Sequence, residues 1–189
     1  LLLKLRNLNQ ELRGVYTSLK REAMTDGRSF HITSAQELDL QEPINEILYE
    51  IYFDVLERDF PCFKTIEFKI VDFQSLNEQN LNSEQKRGIC IFLEEALSNI
   101  GKYAVSATKL EVICKQDEGY NLIRVADNGL GIESTPNPSR QGFGTKQAQN
   151  LAKQLRGKFK RFANSPQGTV CELVWSSEKR PWWRLKKYT

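Results

Sequence analysis

The sequence predicts a two-layer α/β sandwich in which helices cover one face of a mixed, largely antiparallel sheet. Three observations predict it. Apolar residues recur at helical spacing in separate stripes, Ile44 to Val55 and Ile89 to Ile100. Between and after them lie short runs of period two, each bounded by Gly, Pro, Asn or Asp. The length of 189 residues, 40% hydrophobic and 27% charged, suits one packed domain plus an accessory segment.

The first element precedes the sandwich. Leu1, Leu5, Leu8, Leu12, Val15 and Leu19 follow the alternating four- and three-residue steps of a helical seam, with Glu11, Arg13, Lys20 and Arg21 on the solvated sides. This amphipathic helix reads as the end of a dimerisation helix or as a helix folded back on its own core. The chain opens on Leu1-Leu2-Leu3 inside that pattern, so a fragment of a longer protein is expected. Residues 25–42 have no sustained period and read as a connection. The expected division is 1–42 for this helix and connection, 43–176 for the sandwich, and 177–189 for a basic and aromatic tail.

Pro43 then opens a helix to about Arg58, with Ile44, Ile47, Leu48, Ile51, Tyr52 and Val55 on one face. From Thr65 a half-buried strand is expected, with Ile66, Phe68 and Ile70 on one side and Glu67 and Lys69 on the other. Asn82 or Ser83 caps a long helix through Tyr103. Strands at 109–115 and 121–126 flank the turn Asp117-Glu118-Gly119. A helix from Thr145 to Leu155 follows, then strands near 158–162 and 169–175 around Ser165-Pro166-Gln167-Gly168.

Charge and cysteines exclude more than they identify. A formal net charge of +3 is too small to point to nucleic acid, and no run approaches the roughly 18 apolar residues that cross a bilayer. Cys62, Cys90, Cys114 and Cys171 lie far apart with one histidine in the chain, so they read as buried free thiols rather than a metal site.

Three constellations carry chemistry. Glu95, Asn99 and Lys102 share one face of the long helix. They offer a carboxylate for a nucleophile, an amide oxygen for a hard cation and an ammonium for phosphate; magnesium arriving with a nucleotide takes only one or two protein oxygens. A solvated helix face carries such residues too, so the trio alone is weak. Next, Asp127-Asn128-Gly129-Leu130-Gly131-Ile132 ends a strand on a carboxylate and passes into two glycines. A carboxylate there accepts from an exocyclic amine while glycine backbone lies against a flat ring, although an ordinary turn has the same composition. Last, Gly142-Phe143-Gly144-Thr145 leads into a helix whose unpaired N–H groups face an anion. It matches neither a Walker loop nor a Rossmann fingerprint.

In this order the residues resemble the histidine-kinase-like ATPase superfamily, also called the GHKL family. The likeness lies in Glu95 to Ala104 (N box), Asp127 to Ile132 (first glycine box), Gly142 to Gly144 (second) and the closing strand Gly168 to Leu173, and it spans about residues 43–175. The details are most similar to sensor histidine kinases with a short lid, here residues 133–141. The resemblance implies the Bergerat-type ATP-binding fold, with ATP and Mg²⁺ as cofactors. Asn99 would ligate Mg²⁺, Glu95 would act as or near the general base, and Lys102 would meet phosphate. Asp127 would bind the adenine amine with Thr169 in support, and Gly129, Gly131, Ile132, Gly142, Phe143, Gly144 and Thr145 would line the nucleotide.

Tyr103 stands where many relatives have histidine. His31, the only histidine, is followed by Ile32 where an acidic residue is expected, so the resemblance implies a phosphoacceptor outside this chain. It also implies a cytoplasmic two-component protein, a homodimer through the first helix, a response regulator downstream, and membrane contact only through parts missing here. A nucleotide-gated module without kinase activity and an anti-sigma-type serine/threonine kinase share the same motifs. The tail Lys179 to Lys187 reads as packing on the domain or a partner, with contact to a membrane surface as the alternative; no nucleic acid is expected.

Overall fold

A computed structural model of the chain describes residues 29–31, 37–131 and 143–178. The expected first helix, Ile32, Ile132, the lid, Gly142 and the tail from residue 179 lie outside them. Two units divide the chain, Leu1–Gln41 and Glu42–Thr189. In the first, β1 (Ser29–His31) pairs antiparallel with β2 (Glu37–Asp39), Phe30 opposite Leu38. The sequence reads as a plain connection here, because three-residue strands are too short for a period of two to register.

In the second unit, α1 (Ile44–Glu57) buries all six residues of its predicted stripe. Pro43 is its N-cap rather than its first helical residue. Past the helix end, Arg58 reaches back to Asp54 at 2.6 Å and across to Glu94 at 3.2 Å. A 3₁₀ turn at Pro61–Thr65 occupies the expected strand start, and β3 runs from Phe68 to Phe73.

The facing of β3 departs from the expected alternation. Phe68 and Ile70 are 65% and 44% exposed, while the Phe73 ring meets Tyr49 and Tyr52 at 5.5 and 5.9 Å. This strand lies at one end of the sheet, and its last residue rather than its first meets α1. Packing on the helix layer therefore overrides the local pattern.

The central helix α2 (Ser83–Tyr103) begins in a capping box. The Asn82 side chain accepts from the Gln85 N–H at 2.8 Å, and the Gln85 side chain accepts from the Asn82 N–H at 3.0 Å. Its apolar face, Ile89, Phe92, Leu93, Ala96, Leu97 and Ile100, is buried. The hairpin of β4 (Lys109–Asp117) and β5 (Tyr120–Asp127) turns through Glu118 and Gly119, both at positive φ. Then come α3 (Phe143–Gln154), β6 (Lys158–Ala163) and β7 (Thr169–Ser176).

The sheet order is β3-β4-β5-β7-β6, with β3 parallel to β4 and every other pair antiparallel. This is the mixed, largely antiparallel sheet expected. Leu110, Val112, Ile123, Val125 and Leu173 form the buried layer under the helices. On the opposite face Arg124 bridges Glu111 at 2.9 Å and Glu172 at 2.6 Å across three strands. All four cysteines are free. Burial pushes Cys90 up to about 12 and Cys171 up to about 11, so these thiols stay protonated at neutral pH.

One buried amide fixes the approach to α2. Asn121, fully buried on β5, accepts from the Asn77 N–H at 3.0 Å and donates to the Asn77 carbonyl at 2.8 Å. Asn121→Ala removes both bonds and is expected to cost about 1–3 kcal/mol. Urea unfolding monitored by circular dichroism measures it, and a variant as stable as the parent would refute the anchoring role.

Candidate functional site

Neighbouring glutamates on α2 take different parts. Glu94 is buried and tied to Arg58, whereas Glu95 is exposed. Asn99 lies one turn on, half-buried, and its amide nitrogen donates to Glu95 Oε1 at 3.3 Å. That bond engages the nitrogen and leaves the amide oxygen as the atom suited to a cation. A neutral oxygen beside one carboxylate fits a magnesium that brings phosphate and water as its other ligands. Among the described residues no cluster of three His, Cys, Asp or Glu side chains forms a self-sufficient metal cage. Lys102 is exposed, and its ammonium lies 5.1 Å from the Phe60 ring centroid. Its charge rests on an aromatic face rather than on the Glu95–Asn99 pair.

The start of α3 closes on the same helix face. A Cβ built on Gly144 would stand 2.9 Å from both Cγ and Oε1 of Glu95. Glycine permits that approach, so the N-terminal end of α3 and its partly positive N–H groups adjoin the Glu95 carboxylate. Thr145 follows on α3, half-buried. Phe143 is the first residue of the helix.

At the end of β5, Asp127 is only 4% exposed. Its Oδ1 accepts from the Gly129 N–H at 2.9 Å, and the carboxylate also accepts from the Thr169 N–H at the start of β7. Burial pushes this carboxyl above the usual Asp range. The two N–H bonds and the Arg161 guanidinium pull it part of the way back. Around it, the Asn128 side chain accepts from the N–H groups of Thr108 and Lys109. The Asn164 amide donates to the Asp127 carbonyl at 2.7 Å.

Gly131 holds φ +77 against the Gly168 backbone, a left-handed conformation that favours glycine. The glycine turn then meets the end of α2. Gly129 packs on the Ala104 backbone, and the Leu130 N–H donates to the Val105 carbonyl at 3.2 Å.

The structure thus brings Glu95, Asn99 and Gly144 together, and Asp127, Gly129 and Thr169 into a second group. The C-terminal end of α2 joins the two. Lys102 stands on Phe60. Asn164 and Arg161 also belong to the second group, and no sequence signal singles them out. Both come from β6 and its end, more than thirty residues beyond Asp127, and no local spacing reports such a neighbour.

Asp127 makes stability depend on pH. Its folded-state pKa lies above the ordinary value, so its contribution is fully present below the ordinary Asp range and is lost as pH rises through the raised value. Relative to Asp127→Asn, the parent is therefore expected to gain stability from neutral pH down to about pH 4. Paired urea titrations along that range check the sign; a parent that loses ground on acidification contradicts it.

A known family of proteins matches this part of the chain. The family model described as histidine kinase-, DNA gyrase B-, and HSP90-like ATPase covers residues 84–179, just over half the sequence. Compared with curated proteins, the sequence finds no match. Among solved structures, it is similar to the histidine kinase domain of the Erythrobacter litoralis EL346 blue-light activated histidine kinase. That match has TM-score 0.56 and 18% identity, covering 71% of this chain and 61% of that one.

The blue-light activated kinase of the same organism matches at TM-score 0.50 and 17% identity, over 87% of this chain and 52% of that one. The mycobacterial sensor histidine kinase MprB matches at TM-score 0.52 and 19% identity, over 70% of this chain and 95% of that one. At these identities the likeness concerns the fold. The chain spans 61% of the first of these structures and 52% of the second. No helix among the described residues is long and apolar enough to cross a membrane.

Proposed function

The chain belongs to the family of histidine kinase-, DNA gyrase B-, and HSP90-like ATPases, and from that premise we propose that it is the ATP-binding catalytic domain of a two-component sensor histidine kinase. The observation that carries this reading is the approach of the start of α3 to the Glu95–Asn99 pair on α2. It sets the N–H groups at the start of α3, a carboxylate and an amide oxygen side by side. Phosphoryl transfer requires little more than positioning and charge neutralisation, which these groups supply.

Each residue has a role in the proposal. Asn99 holds Mg²⁺ through its amide oxygen, and the ion would neutralise charge on the phosphates. Glu95, hydrogen-bonded to Asn99, orients or deprotonates the attacking group. The N–H groups of Gly142, Phe143 and Gly144 face phosphate, and Lys102 leaves the Phe60 ring to join them. Asp127, pre-set by the Gly129 and Thr169 N–H groups, accepts from the adenine amine. Gly129, Gly131 and Ile132 lie along the base, and Thr145 and Thr169 complete the lining.

The acceptor histidine lies outside this chain in the proposal. Dimerisation through residues 1–21, a response regulator as recipient and a cytoplasmic site of action complete the reading.

Asn99→Ala is expected to abolish the Mg²⁺-dependent part of binding to a fluorescent ATP analogue and to lower turnover about a hundredfold or more, with circular dichroism unchanged. Parent-like turnover in that variant would remove the assignment. For the transfer itself, incubation of the full-length protein with ATP is expected to leave acid-labile phosphate on histidine. Acid-stable phosphate, or binding with no transfer, would contradict the histidine-kinase reading while leaving ATP binding in place.

A further inference from the structure

Between Glu133 and Glu172 the sequence contains no Asp or Glu. Within that stretch Lys146, Lys153, Arg156, Lys158, Lys160 and Arg161 are all exposed, against a formal net charge of only +3 for the whole chain. Four of them fall in the six residues from Arg156 to Arg161, where the end of α3 turns into β6.

The turn that builds this patch is tightly specified. Arg156 adopts φ +52, its N–H donates to the Lys153 carbonyl at 3.1 Å, and the Gly157 N–H donates to the Ala152 carbonyl at 2.7 Å. These two bonds form a Schellman closure, which ends the helix and sends the chain directly into Lys158. Between α3 and β6 runs a groove lined by Gln149, Ala152, Lys153, Gly157, Lys158, Phe159 and Lys160. The Phe159 ring sits on Phe92 of α2 at 5.9 Å, so the groove has an apolar wall as well as a basic rim.

β6 is the last strand of the sheet. Among the described residues it pairs only with β7, and an edge strand carries a row of backbone donors and acceptors on its outer side. Glu172, the carboxylate opposite Lys160 on β7, is engaged by Arg124 at 2.6 Å. Lysines on an edge strand repel a like edge, which removes a second copy of β6 as the occupant.

We infer that the β6 edge and the adjoining α3 groove bind an extended acidic polypeptide segment of another protein, which adds to the sheet as a sixth strand. Strand addition draws affinity from main-chain bonds and specificity from alternate side chains. Lys158 and Lys160 lie on one face of β6 and Phe159 on the other. The segment therefore places a carboxylate against Lys160 on one face and small apolar side chains, which enter the groove over Ala152 and Phe159, on the other. Nothing in this inference draws on the nucleotide site.

The test uses the full chain and a fluorescein-labelled peptide of about eight alternating Glu and Val residues, a typical strand length. Fluorescence anisotropy is expected to show saturable binding, with slowed hydrogen exchange at the β6 amides. Lys160→Glu is expected to weaken binding about tenfold or more. A peptide of the same sequence, N-methylated at alternate backbone positions, keeps its charge but cannot pair as a strand and is expected not to bind. Three results each overturn the proposal: no binding up to about 1 mM peptide, equal binding of the N-methylated peptide, or tighter binding of an oligothymidylate or of phosphatidylserine-containing vesicles than of the peptide.

Discussion

A nearly inaccessible carboxylate at the end of β5 organises the site. Asp127 gathers the N–H of Gly129 from the turn that follows and the N–H of Thr169 from β7. An ionised carboxylate in so dry a place is costly unless such donors meet it. Those donors in turn set where the glycine turn leaves the sheet. Gly129 then packs on Ala104 and Leu130 bonds to Val105, so the turn and the end of the central helix are joined. Without the carboxylate there would be two N–H groups to satisfy and a weaker hold of the turn against α2.

The same helix divides two functions between adjacent glutamates. Glu94 lies in the layer between α2 and α1, where Arg58 from the end of α1 compensates it. Glu95 lies further round the helix and remains exposed. A helix advances about 100° per residue, so consecutive identical side chains face different surroundings. One becomes part of the packing and the other a chemical group. An exposed carboxylate next to a helix start and an amide oxygen is what the proposed transfer needs.

The amphipathic helices were legible because their cause is local. The stripe of α1, the N-cap at Asn82 or Ser83 and the apolar face of α2 each lie within a few turns of sequence, and the order of polar motifs along the chain pointed to the family. The facing of β3 was not legible, for the opposite reason. It depends on Tyr49 and Tyr52, residues of a helix that meet Phe73, and Phe68 and Ile70 give a false local alternation. The β1–β2 pairing was too short to show any period. In the candidate site, the approach of Gly144 to Glu95 and the bond from Asn164 to Asp127 were not legible. These join segments that are tens of residues apart, and a single sequence carries no record of such distances.

Net charge concealed a further feature. The total of +3 is a sum over stretches of opposite sign. Helix α1 carries Glu46, Glu50, Asp54 and Glu57 and contains no lysine or arginine, while the stretch from α3 through β6 contains no carboxylate. Fields act over about a Debye length, so partners sense the patches and not their sum. The acidic surface of α1 nevertheless cannot serve the basic edge of another copy. Its backbone groups are already bonded within the helix, and they have nothing to offer the open side of β6. Charge alone would allow the two surfaces to meet, but hydrogen bonding along an edge requires an extended chain, and that requirement directs the basic strand toward a different kind of partner.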